Sequence, residues 1–356
     1  MIFQQKLSGL KASIDKELEH CFEVAIKDVR EKDGLLTEAL THTKKIAISG
    51  GKRIRGALLC QAYFGFGGKE KAKILKVATA IELVHLFLLI HDDIIDRGDL
   101  RHGQLSLHRM FAKKYQKKYS IDGADHLGQS MAIIVGDMLF AIANKIIVEA
   151  GFSAKETVVV IGQLQKIVSN TIIGQSQDIA IEYKKNVSQE EVLQMYENKT
   201  AKYTFEGPLH LGAMLAGITD KKTFSTLSSY ALPLGTAFQI QDDILGVFGN
   251  EKKIGKSVAS DIEEGKQSLL VVKAREKGTT AQRKQLEEIL GKKNITKKEI
   301  ETFQNILKET GSLEYSKKMA HEHIQEAKSQ LEKIIIKKEA KDFLMGLNQY
   351  LDGREI

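Results

Sequence analysis

The chain has 356 residues, 42% hydrophobic and 28% charged, which is enough for one large core or two domains. It contains only two prolines, and this scarcity of the strongest helix breaker favours long helices. The net charge of +7 suits an anionic partner, whether nucleic acid, membrane or phosphate ester, and does not choose among them. Cys21 and Cys60 form no CxxC pair and no metal-ligand spacing, so the expected setting is the reducing cytoplasm.

No membrane or export segment is expected. The first twenty residues, MIFQQKLSGLKASIDKELEH, lack the apolar core of a signal peptide. The longest apolar run, 78–90, contains Glu82 and His85 and is too short to span a bilayer. We therefore expect a soluble protein without a transmembrane segment.

Apolar residues recur at helical spacing along the whole chain. The segment 73–96 is apolar on nearly all sides and predicts a central helix. Buried helices are also predicted over 129–151, 156–180 and 228–249, and charged amphipathic helices from about residue 281 onward. The β-branched run 158–161 has no alternating partners and is assigned to a helix. With no linker or repeat, the chain is predicted to be one all-α domain spanning 1–356.

The first predicted helix ends in a cluster of acids. Asp92 and Asp96 lie one helical turn apart on one face, with Asp93 beside them. Such carboxylates repel each other and require a cation, which Arg97 or Arg101 could supply as a simple ion pair. Asp242 and Asp243 end a second apolar helix, with Gln239 one turn before Asp243.

If the two acid clusters face each other, their carboxylates converge on a shared space. Hard oxygen ligands at that density suit Mg²⁺, which binds through one or two carboxylates plus substrate phosphates. Cations near glycines suit phosphate oxygens: Lys52, Arg53 and Arg55 in SGGKRIRG, Lys199 in NKTAKY, and Lys256 and Lys266 in GKSVASDIEEGK. Together these features indicate a diphosphate ligand.

The ordered motifs GGKRIR, HDDIIDRGDLRHG, GDMLFAIA, GQSQDI, NKTAKY, QIQDDILG and GKSVASDIEEGKQSLL resemble the trans-type isoprenyl diphosphate synthases of the polyprenyl synthetase family. The resemblance implies a bundle of antiparallel helices around a deep central cavity, usually as a homodimer. It also implies isopentenyl and allylic diphosphates as substrates and Mg²⁺ as cofactor, with no nucleic-acid partner.

The resemblance assigns roles to individual residues. Asp92 and Asp96, supported by Asp93, and Asp242 would bind Mg²⁺. The allylic diphosphate would be held by Arg101, Lys199 and Lys256. Isopentenyl diphosphate would be held by Lys52, Arg55, His85 and His102. Further polar positions would line the site: Thr200, Gln175, Asp178, Gln239 and Lys266.

The implied chemistry follows from charge. Ionisation of the allylic diphosphate creates a carbocation and a highly charged leaving group, which Mg²⁺ and lysines stabilise. The isopentenyl double bond then attacks the cation, and a proton is lost, with the departed diphosphate as acceptor. The aspartates are therefore metal ligands, and the apolar run before Asp92 is the wall for the growing hydrocarbon tail.

This chain departs from the family pattern at two positions. Gly246 replaces a third aspartate in the second acidic motif, as in archaeal-type synthases. His102 replaces an arginine that contacts isopentenyl diphosphate, and an ordinary histidine is mostly neutral at pH 7.

Product length is expected to depend on Phe87 and Leu88, five and four residues before the first aspartate. One aromatic beside a smaller residue resembles archaeal-type geranylgeranyl diphosphate synthases, with farnesyl diphosphate synthase as the alternative. A class I terpene cyclase would not need the residues that bind isopentenyl diphosphate, Lys52, Arg55 and His85. A non-catalytic partner subunit normally lacks one of the acidic motifs, and here both are present. A nucleic-acid binder would leave both acid clusters unexplained.

Overall fold

The computed structural model describes residues 2–184, 186–249 and 258–354, and most of these residues are helical. The chain folds into two compact units, one of Met1–Cys60 with Gly68–Ile161 and one of Gln61–Gly67 with Gly162–Ile356. The all-α prediction is confirmed. The assignment of 1–356 to a single domain stays a prediction.

The first unit is built from long helices. They are α1 (Ile2–Val29), α2 (Gly34–Ser49), the first half of α3 (Ile54–Gly65), α4 (Lys71–Ile95), α5 (Leu107–Tyr115) and α6 (Ile121–Val148), followed by the first residues of α7 (Ala154–Glu182). The residues of α3 from Gln61 onward belong to the second unit. The helix α4 is buried on several sides, as its apolar sequence predicted, and packs against α6. Gly136 makes this packing close, since a Cβ atom there would lie 2.3 Å from Nε2 of His91.

A short hairpin interrupts the helices directly after α4. Strands β1 (Leu100–Arg101) and β2 (Gln104–Leu105) pair antiparallel around a two-residue turn. Both turn residues, His102 and Gly103, have left-handed backbone, with φ of 51° and 74°. Two-residue hairpin turns of this kind match the twist of the strands, and histidine tolerates this conformation better than most residues. The hairpin thus places Arg101 and His102 beside the end of α4.

The second unit continues from α7 and contains the remaining elements. They are α8 (Gln189–Tyr196), a π-helix (Glu197–Glu206), α9 (Gly207–Leu215), α10 (Lys221–Phe248), α11 (Ser260–Glu264), α12 (Leu269–Lys277), α13 (Thr280–Ile289), α14 (Lys297–Glu309), α15 (Ser312–Leu331) and α16 (Lys338–Asp352). The helix α10 packs against α15 and against the π-helix. The helices predicted over 156–180 and 228–249 correspond to α7 and α10, and the run 158–161 is helical.

Helix starts in this unit follow local sequence signals. Ser188 with Glu191, Thr279 with Gln282, and Thr296 with Glu299 form capping boxes at α8, α13 and α14. In each, the hydroxyl accepts from a backbone N–H and the longer side chain accepts from the cap's own N–H. These caps explain why the charged helices begin where they do.

Within the described residues, α4 and α6 are long and apolar enough to cross a membrane by length and composition alone. They pack against each other, and α4 is largely buried. Core helices of soluble proteins pass the same test, so neither establishes a transmembrane segment.

Candidate functional site

The first acid cluster lies at the C-terminal end of α4. Asp92 and Asp96 are half-buried, and the Asp96 amide donates to the Asp92 carbonyl at 2.8 Å, which keeps them one turn apart. The C-terminal end of a helix carries partial negative charge, so carboxylates there are unfavourable without a cation. This geometry suits hard oxygen ligands for a divalent ion.

Asp93 differs from its neighbours because it is buried and already paired. Nε of Arg101 donates to Oδ1 of Asp93 at 3.0 Å, and Nη2 contacts the same oxygen. Burial raises the pKa of Asp93 to about 6, opposed by the Arg101 charge. Asp93 therefore holds Arg101 in place beside Asp92 and Asp96 and supports the cluster.

Three of the four predicted isopentenyl-binding residues, Arg55, His85 and His102, share one positive environment in the first unit. Burial lowers the pKa of His85 well below 6.5, and the charges of Arg55, Arg101 and His102 lower it further. Burial also lowers the pKa of His102, whose Nδ1 donates to the Ile46 carbonyl at 3.3 Å. The nearby guanidinium groups of Arg55 and Arg101 add a positive potential to this buried environment, which favours an anion.

Lys52 and Arg55 lie on either side of Arg53 in the sequence, and Arg53 itself has a structural role. Lys52 is exposed and Arg55 half-buried, whereas Arg53 is buried and has a left-handed backbone, with φ of 54°. Nε of Arg53 donates to Oδ1 of Asp15 at 2.6 Å, and Nη1 lies 3.8 Å from the Glu82 carboxylate. The sequence grouped Arg53 with the phosphate-facing cations, and its ion pairs place it in the scaffold instead.

The second acid pair lies near the end of α10 in the second unit. Asp242 is half-exposed, and Nη2 of Arg354 lies 2.8 Å from its carboxylate. Asp243 accepts from the Gln239 amide at 2.8 Å and from the hydroxyl of Tyr196. Burial raises the pKa of Asp243 to about 7, with the two hydrogen bonds acting in the opposite direction. As in the first cluster, the second of the two neighbouring aspartates accepts hydrogen bonds from other side chains of the fold.

Tyr196 is a site residue that the sequence did not reveal. It is fully buried, donates to Asp243 and accepts a hydrogen bond from the Leu269 amide at 2.9 Å. It therefore connects α8, α10 and the start of α12. A buried tyrosine needs a polar partner for its hydroxyl, but sequence spacing could not identify an aspartate 47 positions away.

Gly246 has a direct structural consequence. A Cβ atom at this position would lie 1.8 Å from Oδ2 of Asp261, on α11. The missing side chain gives the Asp261 carboxylate its place beside α10, where its charge contributes to the raised pKa of Asp243. Asp261 of α11 therefore places a carboxylate where the family's third aspartate would stand on α10.

Two predicted phosphate-binding lysines meet at one carboxylate. Nζ of Lys199, on the π-helix, lies 2.6 Å from Oδ2 of Asp178, and Nζ of Lys266 lies 3.3 Å from the same oxygen. Lys266 also contacts Glu182 at 3.1 Å. Although burial acts in the opposite direction, the two lysines lower the pKa of Asp178. The carboxylates position these ammonium groups within the second unit.

The π-helix is fixed by close contacts and hydrogen bonds. A Cβ atom at Gly174 of α7 would lie 2.3 Å from the Lys199 backbone nitrogen. The Thr200 hydroxyl donates to Oε1 of Gln239 at 2.7 Å, which links Lys199's neighbour to the second acid pair. Within the described ranges, the buried amide nitrogen of Gln175 has no hydrogen-bond partner. Lys256 lies outside the described residues.

Among residues 2–184, 186–249 and 258–354, no group of three or more His, Cys, Asp or Glu side chains forms a metal site by itself. The carboxylates of Asp92 and Asp96 are nevertheless the donor type that a divalent cation prefers. A ligand set of one or two carboxylates is completed by phosphate oxygens, so these residues fit a metal that arrives with a diphosphate.

The protein is therefore all-α, with an aspartate pair near the end of α4, another near the end of α10, and lysine and arginine side chains suited to binding phosphate. The sequence model of the family described as polyprenyl synthetase matches residues 35–307. The chain belongs to the polyprenyl synthetase family, whose members use a divalent metal. The resemblance inferred from the motifs is thereby confirmed.

Several relatives are similar over most of their length. A geranylgeranyl diphosphate synthase of Methanosarcina mazei is 33% identical over 86% of this chain and 87% of its own. A short chain isoprenyl diphosphate synthase of Methanothermobacter thermautotrophicus is 33% identical over 94% and 96%. The crystal structure of a Corynebacterium glutamicum geranylgeranyl pyrophosphate synthase, complexed with isoprenyl diphosphate and magnesium, has a TM-score of 0.92 and 27% identity, covering 98% of this chain and 99% of that one.

Proposed function

We propose that this protein is a geranylgeranyl diphosphate synthase, a Mg²⁺-dependent prenyltransferase that condenses isopentenyl diphosphate with an allylic diphosphate. The observation that carries the proposal is the common arrangement of the two acid pairs. In each, the second aspartate is held by side-chain hydrogen bonds, Asp93 by Arg101 and Asp243 by Gln239 and Tyr196, while the first, Asp92 or Asp242, keeps an intermediate exposure. The names of both relatives support the reaction class, and the name of the Methanosarcina mazei enzyme also supports the product.

The residues act by binding and orienting charge. Asp92, Asp96 and Asp242 would hold Mg²⁺, which supplies electrostatic stabilisation of the diphosphate leaving group when bound. Lys199 and Arg101, with Lys256, bind the allylic diphosphate. The carboxylates of Asp178 and Asp93 hold Lys199 and Arg101 at fixed positions before substrate arrives. Such preorganised charge acts at the moment when the allylic C–O bond breaks.

The isopentenyl diphosphate is bound by the positive environment of the first unit. Lys52 and Arg55 bind its phosphates, and His85 and His102 complete the contact. The isopentenyl double bond attacks the allylic cation, the electron pair of the C–O bond leaves with the diphosphate, and the departed diphosphate accepts the lost proton. Thr200, Gln239 and Lys266 support the allylic side of the reaction.

Product sizing tests this function. The purified protein is incubated with Mg²⁺, labelled isopentenyl diphosphate and each allylic primer in turn, and the dephosphorylated products are separated by length. Geranylgeraniol is expected as the main product, and farnesol would favour the alternative synthase. Hydrocarbon formed without isopentenyl label would indicate a cyclase. No product from any primer would indicate a non-catalytic subunit.

We also infer that the protein acts in the cytoplasm as a homodimer. Ile133 and Ile134 are 47% and 52% exposed at adjacent positions of α6, and apolar side chains exposed side by side are typical of association surfaces. A second copy of the chain would cover them through a two-fold contact. Analytical ultracentrifugation should give a dimer for the native chain and a monomer for Ile133→Lys with Ile134→Lys. A native monomer would overturn this inference.

A further inference from the structure

The connection between α5 and α6 carries a concentrated positive charge that the proposed reaction does not use. We call residues 113–121, KKYQKKYSI, the lysine–tyrosine turn. It contains four lysines, two tyrosines and one isoleucine, with no acidic residue. It belongs to the first unit, and none of the motifs assigned to substrate binding lies within it.

Most of this charge is not neutralised by the protein. Lys113, Lys117 and Lys118 are exposed, and none has an ion pair with a carboxylate in the described part of the chain. Only Lys114 is paired, with Glu38 at 2.6 Å. Asp122 follows directly on α6 and reduces the net charge, but three unpaired lysines remain on one short stretch.

Large apolar groups are exposed beside these lysines. The side chain of Ile121 is 74% exposed, and that of Tyr119 is 45% exposed. An exposed isoleucine next to lysines has no role in holding a nucleic-acid backbone, which needs cations and stacking rings. Lysines together with tyrosine and an aliphatic side chain are the combination that suits the interface of an anionic bilayer.

The surface is rigid because its aromatic rings stack on the core. The buried ring of Phe111 stacks on Tyr115 with centroids 5.8 Å apart, and Tyr115 stacks on Tyr119 at 6.1 Å. Nζ of Lys118 lies 5.4 Å from the Tyr119 ring centre. Tyr119 and its neighbours are therefore held in place before any partner binds, which lowers the entropy lost on binding.

We propose that the lysine–tyrosine turn docks the protein on the anionic surface of a phospholipid bilayer. The lysines attract acidic headgroups, while Tyr119 and Ile121 enter the boundary between headgroups and acyl chains. Binding is reversible, since a few lysines and one aliphatic side chain give moderate affinity that salt weakens. The proposal goes beyond prenyl transfer and does not depend on it.

Vesicle co-sedimentation tests the proposal with the full chain. Vesicles of phosphatidylcholine alone are compared with vesicles that also contain phosphatidylglycerol, at low and high salt. The test variant is Lys117→Glu with Lys118→Glu. The control is Lys297→Glu with Lys298→Glu, an equal charge change at exposed residues at the start of α14. A third variant, Ile121→Ser, removes the apolar contact and keeps every lysine.

We expect the native protein and the α14 control to bind the acidic vesicles, and salt to weaken binding. Each lysine near an anionic surface contributes about fivefold in affinity, so the test variant should bind about 25-fold more weakly or worse. Ile121→Ser should bind more weakly than the native chain. Prenyl transfer by the test variant with dissolved substrates should be unchanged, which shows that it is folded.

Three results would overturn the proposal. The first is equal loss of vesicle binding in the test variant and the α14 control, which would reflect net charge alone. The second is binding that is insensitive to phosphatidylglycerol. The third is tighter binding to a single-stranded RNA, lost in the test variant while Ile121→Ser has no effect, which would assign the surface to nucleic acid.

Discussion

The two aspartates at the end of α10 should separate metal binding from folding. Asp242 is half-exposed and contacts Arg354, a partly exposed ion pair that contributes about 1 kcal/mol or less to stability. Asp242→Ala should therefore leave the free energy of unfolding nearly unchanged. Turnover should fall by about 10²-fold or more, because a group that stabilises charge in the transition state is lost.

Asp243→Ala should act mainly on stability. It removes the acceptor of hydrogen bonds from Tyr196 and Gln239, and a buried polar group left unsatisfied costs about 1–3 kcal/mol. The cost of the two lost hydrogen bonds is partly offset, because removing the carboxylate also removes the burial cost that raises its pKa to about 7. We expect a net loss of about 2–3 kcal/mol in the free energy of unfolding.

Urea unfolding followed by circular dichroism, with turnover measured across Mg²⁺ concentrations, distinguishes the two variants. The Asp242 variant should retain the native midpoint and lose activity at every Mg²⁺ concentration. Equal destabilisation by both substitutions would refute the assignment of Asp242 to metal binding and of Asp243 to the hydrogen bonds with Tyr196 and Gln239. Near-normal turnover of Asp242→Ala at saturating substrate would remove Asp242 from the metal site.

Three further outcomes are expected. His102→Arg should lower the Michaelis constant for isopentenyl diphosphate and flatten the pH dependence of that constant. In the native protein, substrate binding must protonate the His102 imidazole, whose pKa is lowered. An unchanged pH profile in the variant would mean that His102 does not contact the substrate. The pKa of His85 lies well below its unfolded value, so stability should fall as pH drops below about 6.5, and His85→Gln should reduce this slope in urea titrations. Phe87 is 8% exposed and its ring centre lies 5.2 Å from that of Phe140. Phe87→Ala should lengthen the prenyl product and cost about 3–5 kcal/mol of stability. Phe140→Ala should also lengthen the product, and unchanged products in both folded variants would mean that other residues limit product length.

Sequence periodicity predicted the long helices α4, α6, α7 and α10 and placed an acid pair near the ends of α4 and α10, because an apolar run that ends abruptly in carboxylates is a local signal. It did not predict α1 and α2. It could not show which aspartate of each pair is held by hydrogen bonds from other side chains. That depends on partners distant in the chain, Arg101 for Asp93 and Tyr196 for Asp243.

Two local structures also escaped prediction for physical reasons. The π-helix around Lys199 lies against Gly174 of α7, a contact between positions far apart in the sequence that periodicity does not reveal. The hairpin at His102 has strands of two residues, too short for alternation to be visible. The left-handed conformation of His102 is therefore known only from the fold.

The contact between Gly246 and Asp261 makes these two positions dependent on each other in evolution and in design. Restoring a third aspartate at 246 would add a side chain where the Asp261 carboxylate already lies, since even a Cβ atom would stand 1.8 Å from it. The single change would thus displace one acid to introduce another. A chain that gains an aspartate at position 246 should tolerate it best when Asp261 is replaced by a small residue at the same time. The number of acidic groups near α10 would then stay the same, with the carboxylate on α10 instead of on α11.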